Sequence, residues 1–269
     1  MEGLLTYEFL QRAFIAGIFV AVACAFLSVF LILKRDSMIG HGLAHVTFAG
    51  VALGLFLNIL PLATALGVAV LTALLIMRIK ERAGLYGDTA IAIFSSVGFA
   101  VGILFATLAQ SMNVNIFAYL FGEILAIELL EVWISIGLAG VIIGTMIFHF
   151  RKFMYITFDR ESARVSGIKV RSLETLLTVL TAVTVVLAMK LVGIILVSAL
   201  IVIPGAAGLQ VATHFKQALF LSVIVAVSSV VGGMLIAFYL DFPASGTIVL
   251  FSFFLFGIFY FFRKEKRML

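Results

Sequence analysis

Two histidines four positions apart, His41 and His45, lie in an apolar run that contains no charged residue from Ser37 to Met77. Imidazole nitrogens bind zinc and its neighbouring transition metals. A helix places residues i and i+4 on one face with Cβ atoms about 5–6 Å apart. The spacing therefore allows both side chains to reach one metal ion.

The histidine pair is open to other interpretations. A single buried histidine is more often a hydrogen-bonding residue between helices, and two facing histidines could also relay protons. Two imidazoles do not complete a tetrahedral zinc site, so water, a further side chain or the same pair from a second subunit must supply the other ligands. Spacing alone leaves metal binding, proton relay and structural hydrogen bonding open.

The elements that position the pair are predicted to be membrane-spanning helices. Of the 269 residues, 64% are hydrophobic and 12% are charged, and the mean hydropathy is +1.28. Soluble domains carry about 25% charged residues. The apolar runs match the about 20 residues that a helix needs to cross the hydrocarbon core, and they lack the alternation of barrel strands. We therefore predict an all-α integral membrane protein.

The runs predict about nine transmembrane helices, with eight as the alternative, in one polytopic domain covering residues 1–269. The predicted spans lie near residues 10–33, 38–57, 61–78, 89–109, 130–150, 172–189, 192–212, 217–239 and 245–262. Counted from Arg35 at the boundary, His45 lies about 15 Å into the membrane, near the midplane. Ionisable groups at such a depth are functional candidates by default.

The basic residues predict the orientation of the chain. Sixteen of the 18 Lys and Arg residues fall on one side of the predicted arrangement, which leaves Arg12 and Lys190 on the other. Cytoplasmic loops carry the excess of basic residues, so the C-terminus is predicted to be cytoplasmic. This bias accounts for the net charge of +5, and no nucleic-acid partner is predicted.

The segment 116–127 is too short to span and is predicted to lie at the outer surface or to re-enter the membrane.

The longest polar stretch, Phe153 to Ser172, collects most of the cytoplasmic charge. Within residues 159–167 the acidic residues come first and Arg164 follows, which suits the dipole of a short helix, and Gly167 is a typical stop. From the pattern alone, a solvated connector and a docking helix for a cytoplasmic partner are equally supported.

Pro204 lies inside a predicted span, where its missing N–H predicts a kink or a break in the helix, and broken helices often line transport pathways.

The small-residue packing motif occurs at Gly50/Gly54, Gly98/Gly102 and Gly140/Gly144. Chance alone gives roughly two such pairs among this many glycines, so no role is assigned to them.

Motifs for catalysis do not occur in the sequence. It contains no Gly-x-x-x-x-Gly-Lys-Ser/Thr phosphate loop, no His-Glu-x-x-His and no Gly-x-Ser-x-Gly. Its single cysteine, Cys24, excludes a thiolate metal cluster within one chain. The sequence therefore predicts that the chain does not hydrolyse nucleotide itself and is not an enzyme.

The stretch from Gly40 to Gly50 resembles the second span of a known family, the membrane permeases of ATP-binding-cassette importers for zinc, manganese and iron. In that family the span reads approximately Gly-Asp-Ala-Leu-Ser-His-x-x-x-x-Gly. Further matches follow in the expected order at residues 87–93, 120–126, 158–167, 193–204 and 241–246. The resemblance covers nearly the whole chain and is more specific than any single motif.

The resemblance implies the all-helical fold of the larger-pored importers, like those for cobalamin and iron chelates. It implies a homodimer in the lipid of a prokaryotic plasma membrane, with cytoplasmic ATPase subunits and an extracellular or periplasmic metal-binding protein as partners. No permanently bound cofactor is implied, since the divalent metal is the cargo. A coupling helix that docks in the ATPase is implied within about 155–168, with the residues Asp159, Arg160, Glu161, Ala163, Arg164 and Gly167.

Three positions depart from the family pattern. His41 and Glu123 stand where the family commonly has Asp, and Gly-Ala-Ala-Gly follows Pro204 instead of Ala-Ala-x-Ala. Carboxylates suit manganese and imidazoles suit zinc, so His41 with His45 favours zinc as the transported ion, followed by manganese or iron. Two alternatives stay open: a permease for a metal chelate or haem, and a proton-coupled secondary transporter.

Overall fold

The computed structural model describes residues 8–82, 87–109, 116–122, 129–194 and 196–263. These residues form helices and no strand, which confirms the predicted all-α class. The helices are α1 (Glu8–Leu33), α2 (Met38–Leu57), α3 (Pro61–Arg82), α4 (Gly87–Leu108), α5 (Ile116–Phe121), α6 (Leu129–Phe148), α7 (Phe150–Phe158), α8 (Arg160–Val165), α9 (Val170–Val192), α10 (Val197–Val211), α11 (Phe215–Leu240) and α12 (Ala244–Phe261).

Among the described residues, eight helices are long and apolar enough to cross a membrane: α1 to α4, α6, α9, α11 and α12. Helix α10 has 15 residues and spans about 22 Å, less than the about 30 Å of the hydrocarbon core. The prediction of about nine spans, with eight as the alternative, is thus confirmed as eight full-length spans and one short helix.

The predicted span 192–212 is interrupted at its outer end, and α5 packs against the interruption. Gly193 has φ +78°, and α10 begins only at Val197. The N–H of Ile194 donates to the carbonyl of Tyr119 at 3.0 Å, and a Cβ at Gly193 would clash with the last backbone atoms of α5. Irregular backbone within a membrane protein needs such protein partners. Of the predicted segment 116–127, the part from Glu123 onward lies outside the described residues.

Helix α2 is enclosed by other helices. It packs against α3, α4 and α9, and it also contacts α5 and α10. It is the least apolar of the eight candidate spans, with a mean hydropathy of 1.5, yet 72% of its apolar window is buried inside the protein. The corresponding share for α4 is 11%, so α4 packs against α2 and leaves most of its own surface exposed.

Close packing of α2 depends on glycines to which the sequence assigned no role. A Cβ at Gly50 would lie 2.6 Å from the Cα of Ala65 in α3, and a Cβ at Gly98 of α4 would lie 2.9 Å from the Cα of Val46. Real Cβ atoms do not approach other backbones so closely, so these two crossings require glycine. In contrast, a Cβ at either member of the pair Gly140/Gly144 would meet no atom within 4 Å.

Helix α10 runs through Pro204 without interruption, so of the predicted kink or break the break is absent, while the kink stays a prediction. A proline cannot donate to the carbonyl four residues before it, and neighbouring side chains often hydrogen-bond to the backbone at such sites in membrane helices. Here the N–H of Gly205 donates to Ser28 Oγ at 3.0 Å, and the Ser28 hydroxyl reaches the carbonyl of Val202 at 3.4 Å. Helix α1 thus hydrogen-bonds to α10 on both sides of the proline.

Replacing Ser28 with alanine is expected to lower the free energy of unfolding by about 1 kcal/mol, because the buried hydrogen bonds between α1 and α10 are lost. Ser252→Ala is the matched control, since the Ser252 hydroxyl is buried without a hydrogen-bond partner among the described residues. Thermal unfolding of the detergent-purified variants measures both changes. A loss at Ser28 no larger than at Ser252 would contradict this assignment.

Candidate permeation site

Helix α2 brings His41 and His45 together on one face, one turn apart. Their Nε2 atoms lie 3.3 Å from each other, and the rings meet edge to face with centroids 4.6 Å apart. Two nitrogens that bind one tetrahedral zinc ion at 2.0–2.1 Å are about 3.3–3.4 Å apart. The separation therefore fits a shared metal ion, and it is also that of a hydrogen bond between the two rings.

One chain offers only part of a metal site at this position. Across the described residues, no group of three or more His, Cys, Asp or Glu side chains lies close enough to hold a metal ion. The Nδ1 atom of His45 is buried with no hydrogen-bond partner in the same part of the chain. Metal-ligating histidines usually donate through their second nitrogen to a carboxylate, carbonyl or water. Any further ligand would therefore come from outside the described residues of this chain, from water or from another molecule.

Aromatic rings form one wall of the site. Phe99 of α4 meets the His45 ring edge to face at a centroid distance of 5.1 Å, and Phe48 of α2 packs against Phe99 at 5.4 Å. Phe99 follows Gly98, whose missing side chain lets α4 approach the backbone of α2. The orientation of the His45 imidazole is therefore set by ring packing against α4.

The two other histidines do not join the pair. His149 Nδ1 lies 3.3 Å from the Thr145 carbonyl at the end of α6, and His214 Nδ1 lies 3.1 Å from the Thr213 hydroxyl just before α11. Both are at helix ends, a position from which an imidazole can extend to a membrane interface.

The predicted coupling segment, about residues 155–168, contains the end of α7 and the whole of α8. Asp159 caps α8, since its carboxylate accepts hydrogen bonds from both the hydroxyl and the backbone N–H of Ser162. These bonds hold the pKa of Asp159 below its ordinary value, because they stabilise the charged form. At the other end of α8, Gly167 has φ +79°. The N–H of Gly167 donates to the carbonyl of Arg164, and the N–H of Ile168 donates to the carbonyl of Ala163. The predicted short helix and its glycine stop are confirmed.

Helix α8 is anchored on one side and charged on the other. Ala163 is fully buried, and Arg160 donates to Glu174 of α9 at 2.9 Å. Glu161 and Arg164 are exposed and line a cavity of about 1140 Å³ between α8 and the starts of α2 and α9. All six predicted coupling residues therefore lie in or beside α8, which is separate from the histidine helix α2. Their coupling role stays a prediction.

Sequence reasoning missed Glu174 and Phe99. Glu174 was recognisable from the sequence, since it is a carboxylate at the start of an apolar span, and it is only 8% exposed in the structure. Phe99 was not, because it is one of 27 phenylalanines and its contact with His45 depends on how α4 crosses α2.

A family model described as the ABC 3 transport family matches residues 6–263 of the chain. The chain belongs to the ABC 3 transport family. This confirms the resemblance to the permeases of ATP-binding-cassette metal importers. As a member of the ABC 3 transport family with eight candidate spans, the chain is a multi-pass protein of a prokaryotic plasma membrane.

Three relatives in the ABC 3 transport family match almost the whole chain. The manganese import system permease protein ScaB of Streptococcus gordonii is 32% identical over 100% of this chain and 96% of its own length. The high-affinity zinc uptake system membrane protein ZnuB of Haemophilus influenzae is 28% identical over 97% of this chain and 99% of its own length. The chelated iron transport system membrane protein YfeD of Yersinia pestis is 33% identical over 91% and 82%.

Solved structures confirm the fold expected for the ABC 3 transport family. PsaBC from Streptococcus pneumoniae, in complex with a Fab, superposes with a TM-score of 0.89 at 32% identity and covers 100% of this chain and 96% of that one. An inward-facing metal-chelate type ABC transporter superposes with a TM-score of 0.75 at 16% identity and covers 93% and 85%. The predicted large-pore importer fold is therefore confirmed.

Proposed function

We propose that this protein is the transmembrane permease subunit of an ATP-driven importer that moves divalent metal ions, with zinc favoured, into the cytoplasm. The observation that carries the proposal is the 3.3 Å separation of the Nε2 atoms of His41 and His45 on an enclosed helix. Membership of the ABC 3 transport family supports the permease role. The metal is cargo, which the histidines bind briefly during its passage.

The ligand set favours zinc over manganese. The names of the relatives include manganese, zinc and chelated iron, so the family leaves the cargo open. Two imidazoles suit zinc, whereas manganese is better served by carboxylate and water oxygens. A permeation site must also bind weakly enough to release its ion. Each chain alone supplies two nitrogens and no third protein ligand among the described residues, so a site shared by two chains would lose half of its ligands when the two histidine pairs separate.

A second copy of the chain completes the site in this proposal. Two histidine pairs facing each other across a dimer would present four imidazole nitrogens, which is a full tetrahedral set for zinc. An extracellular or periplasmic metal-binding protein delivers the ion to the outer side. The cytoplasmic ATPase docks on the exposed charges of α8, Glu161 and Arg164. The cytoplasmic position of α8 and of the C-terminus follows from the basic residues collected on that side.

The test is transport by the reconstituted complex. The permease and its ATPase are placed in liposomes with the delivery protein, and ATP-dependent accumulation of radioactive zinc is measured, with manganese, iron(II) and haem as competing cargoes. We expect zinc uptake that requires ATP and disappears with a hydrolysis-deficient ATPase. Uptake of haem without free metal, or transport by the permease alone under a pH gradient, would overturn the proposal.

A further inference from the structure

Glu174 of α9 joins two elements that are separate in the sequence. Its Oε2 atom accepts a hydrogen bond from Arg160 Nη2 at 2.9 Å, and its Oε1 atom accepts one from Lys34 Nζ at 3.2 Å. Arg160 is the first residue of α8, and Lys34 follows the last residue of α1. One carboxylate therefore ties the coupling segment to the turn that leads into α2.

The Glu174 carboxylate is buried, which makes both contacts consequential. The residue is 8% exposed, and the side chain of Lys34 is 10% exposed, whereas that of Arg160 is 62% exposed. A buried charge that loses its partner is strongly destabilised, while an exposed one is compensated by water. A movement of α8 that displaces Arg160 therefore either carries Glu174 with it or leaves the carboxylate with Lys34 alone.

The turn after Lys34 is stiff enough to pass a displacement to α2. Arg35 has φ +59°, the N–H of Asp36 donates to the carbonyl of Leu31, and the N–H of Ile39 donates to the carbonyl of Asp36. Helix α2 starts at Met38, so His41 lies in its first turn. Backbone hydrogen bonds from Asp36 and Ile39 thus join the end of α1, the turn and the start of α2.

We propose that Glu174 is a positioning residue that transmits movement of α8, through Lys34 and the turn, to the histidine helix α2. This inference rests on the proposed function. ATP-driven displacement of the coupling segment would shift the start of α2, and with it the access of His41 and His45 to the cytoplasmic cavity lined by Lys34, Arg160 and Glu174. Glu174 touches neither the metal nor the ATPase in this role.

The test compares the number of zinc ions moved per ATP hydrolysed in reconstituted complexes. Glu174→Gln keeps the shape of the side chain and removes its charge, and we expect the zinc-per-ATP ratio to fall at least tenfold while complex assembly persists. Lys80→Met is the matched control, because it breaks the other ion pair at this turn, Lys80 to Asp36 at 2.6 Å, without touching α8. The control ratio is expected to stay within twofold of the wild type.

Two further measurements separate transmission from simple stability. Arg160→Gln alone should lower the zinc-per-ATP ratio. The double variant with Glu174→Gln should have a ratio close to that of Glu174→Gln alone, because both substitutions break the same ion pair. Zinc affinity of the purified permease, measured by competition with a fluorescent chelator, should stay within twofold in Glu174→Gln. A lower melting temperature with an unchanged zinc-per-ATP ratio would overturn the inference. Absence of zinc transport in the wild-type complex would instead overturn the proposed function.

Discussion

Replacing both His41 and His45 with alanine is expected to reduce ATP-dependent zinc uptake about 100-fold or more. The variant removes both nitrogens that lie 3.3 Å apart on α2, and loss even of a residue that only supports a metal ligand costs about 10–100-fold in affinity or activity. Alanine fits the helix, so the protein is expected to fold and assemble. Zinc accumulation by the reconstituted complex is the measurement.

The control for the double variant is His214→Ala, which removes an imidazole at a helix end that contacts only Thr213 among the described hydrogen bonds. Uptake by this control is expected to equal that of the wild type. His41→Asp adds a second criterion, since a carboxylate at this position should raise manganese uptake relative to zinc uptake. Normal zinc uptake by a correctly assembled double alanine variant would refute the site.

Replacing Gly50 with alanine is expected to separate α2 from α3. The new Cβ would lie 2.6 Å from the Cα of Ala65 and 3.1 Å from the carbonyl oxygen of Thr64, and backbone atoms cannot rotate away as a side chain can. Overpacking of this kind costs about 1–3 kcal/mol. Because α2 carries the histidines, we expect weaker zinc binding together with a lower melting temperature.

Gly67→Ala provides the comparison on the neighbouring helix. Gly67 lies on α3, two residues after Ala65, and a Cβ there would meet no atom within 4 Å. Both substitutions replace glycine with alanine inside α2 or α3, so the gain in helix propensity is the same and does not contribute to the difference between the variants. Melting temperature and zinc affinity should be unchanged in Gly67→Ala. If the two variants behave alike, the close crossing of α2 and α3 is not what positions the histidines.

The transmembrane helices were predictable because each is a continuous apolar run bounded by charge. The predicted span 38–57 coincides with α2, and the predicted span 10–33 differs from α1 by two residues at its start. The short helix α8 was also predictable, because the placement of acidic residues at its start and its termination at Gly167 depend on residues within one turn. Local chemistry sufficed in all of these cases.

Features that depend on the facing helix were not predictable. Gly50 and Gly98 form part of motifs that occur by chance at a similar rate, and only the crossing of α2 with its neighbours shows that they matter. The break predicted at Pro204 is absent, and the interruption lies at Gly193, where the backbone has a positive φ and α5 packs against it. The link through Glu174 joins residues far apart in sequence.

The contrast between α1 and α2 bears on how the protein enters the membrane during synthesis. Helix α1 has the highest mean hydropathy of the eight candidate spans, 2.8, and α2 has the lowest, 1.5. A segment with two imidazoles and few large apolar side chains gains little from leaving the translocon for lipid alone. The short turn after Lys34 lets the two segments insert as a helical hairpin, in which α1 supplies the partitioning free energy that the histidine helix α2 lacks.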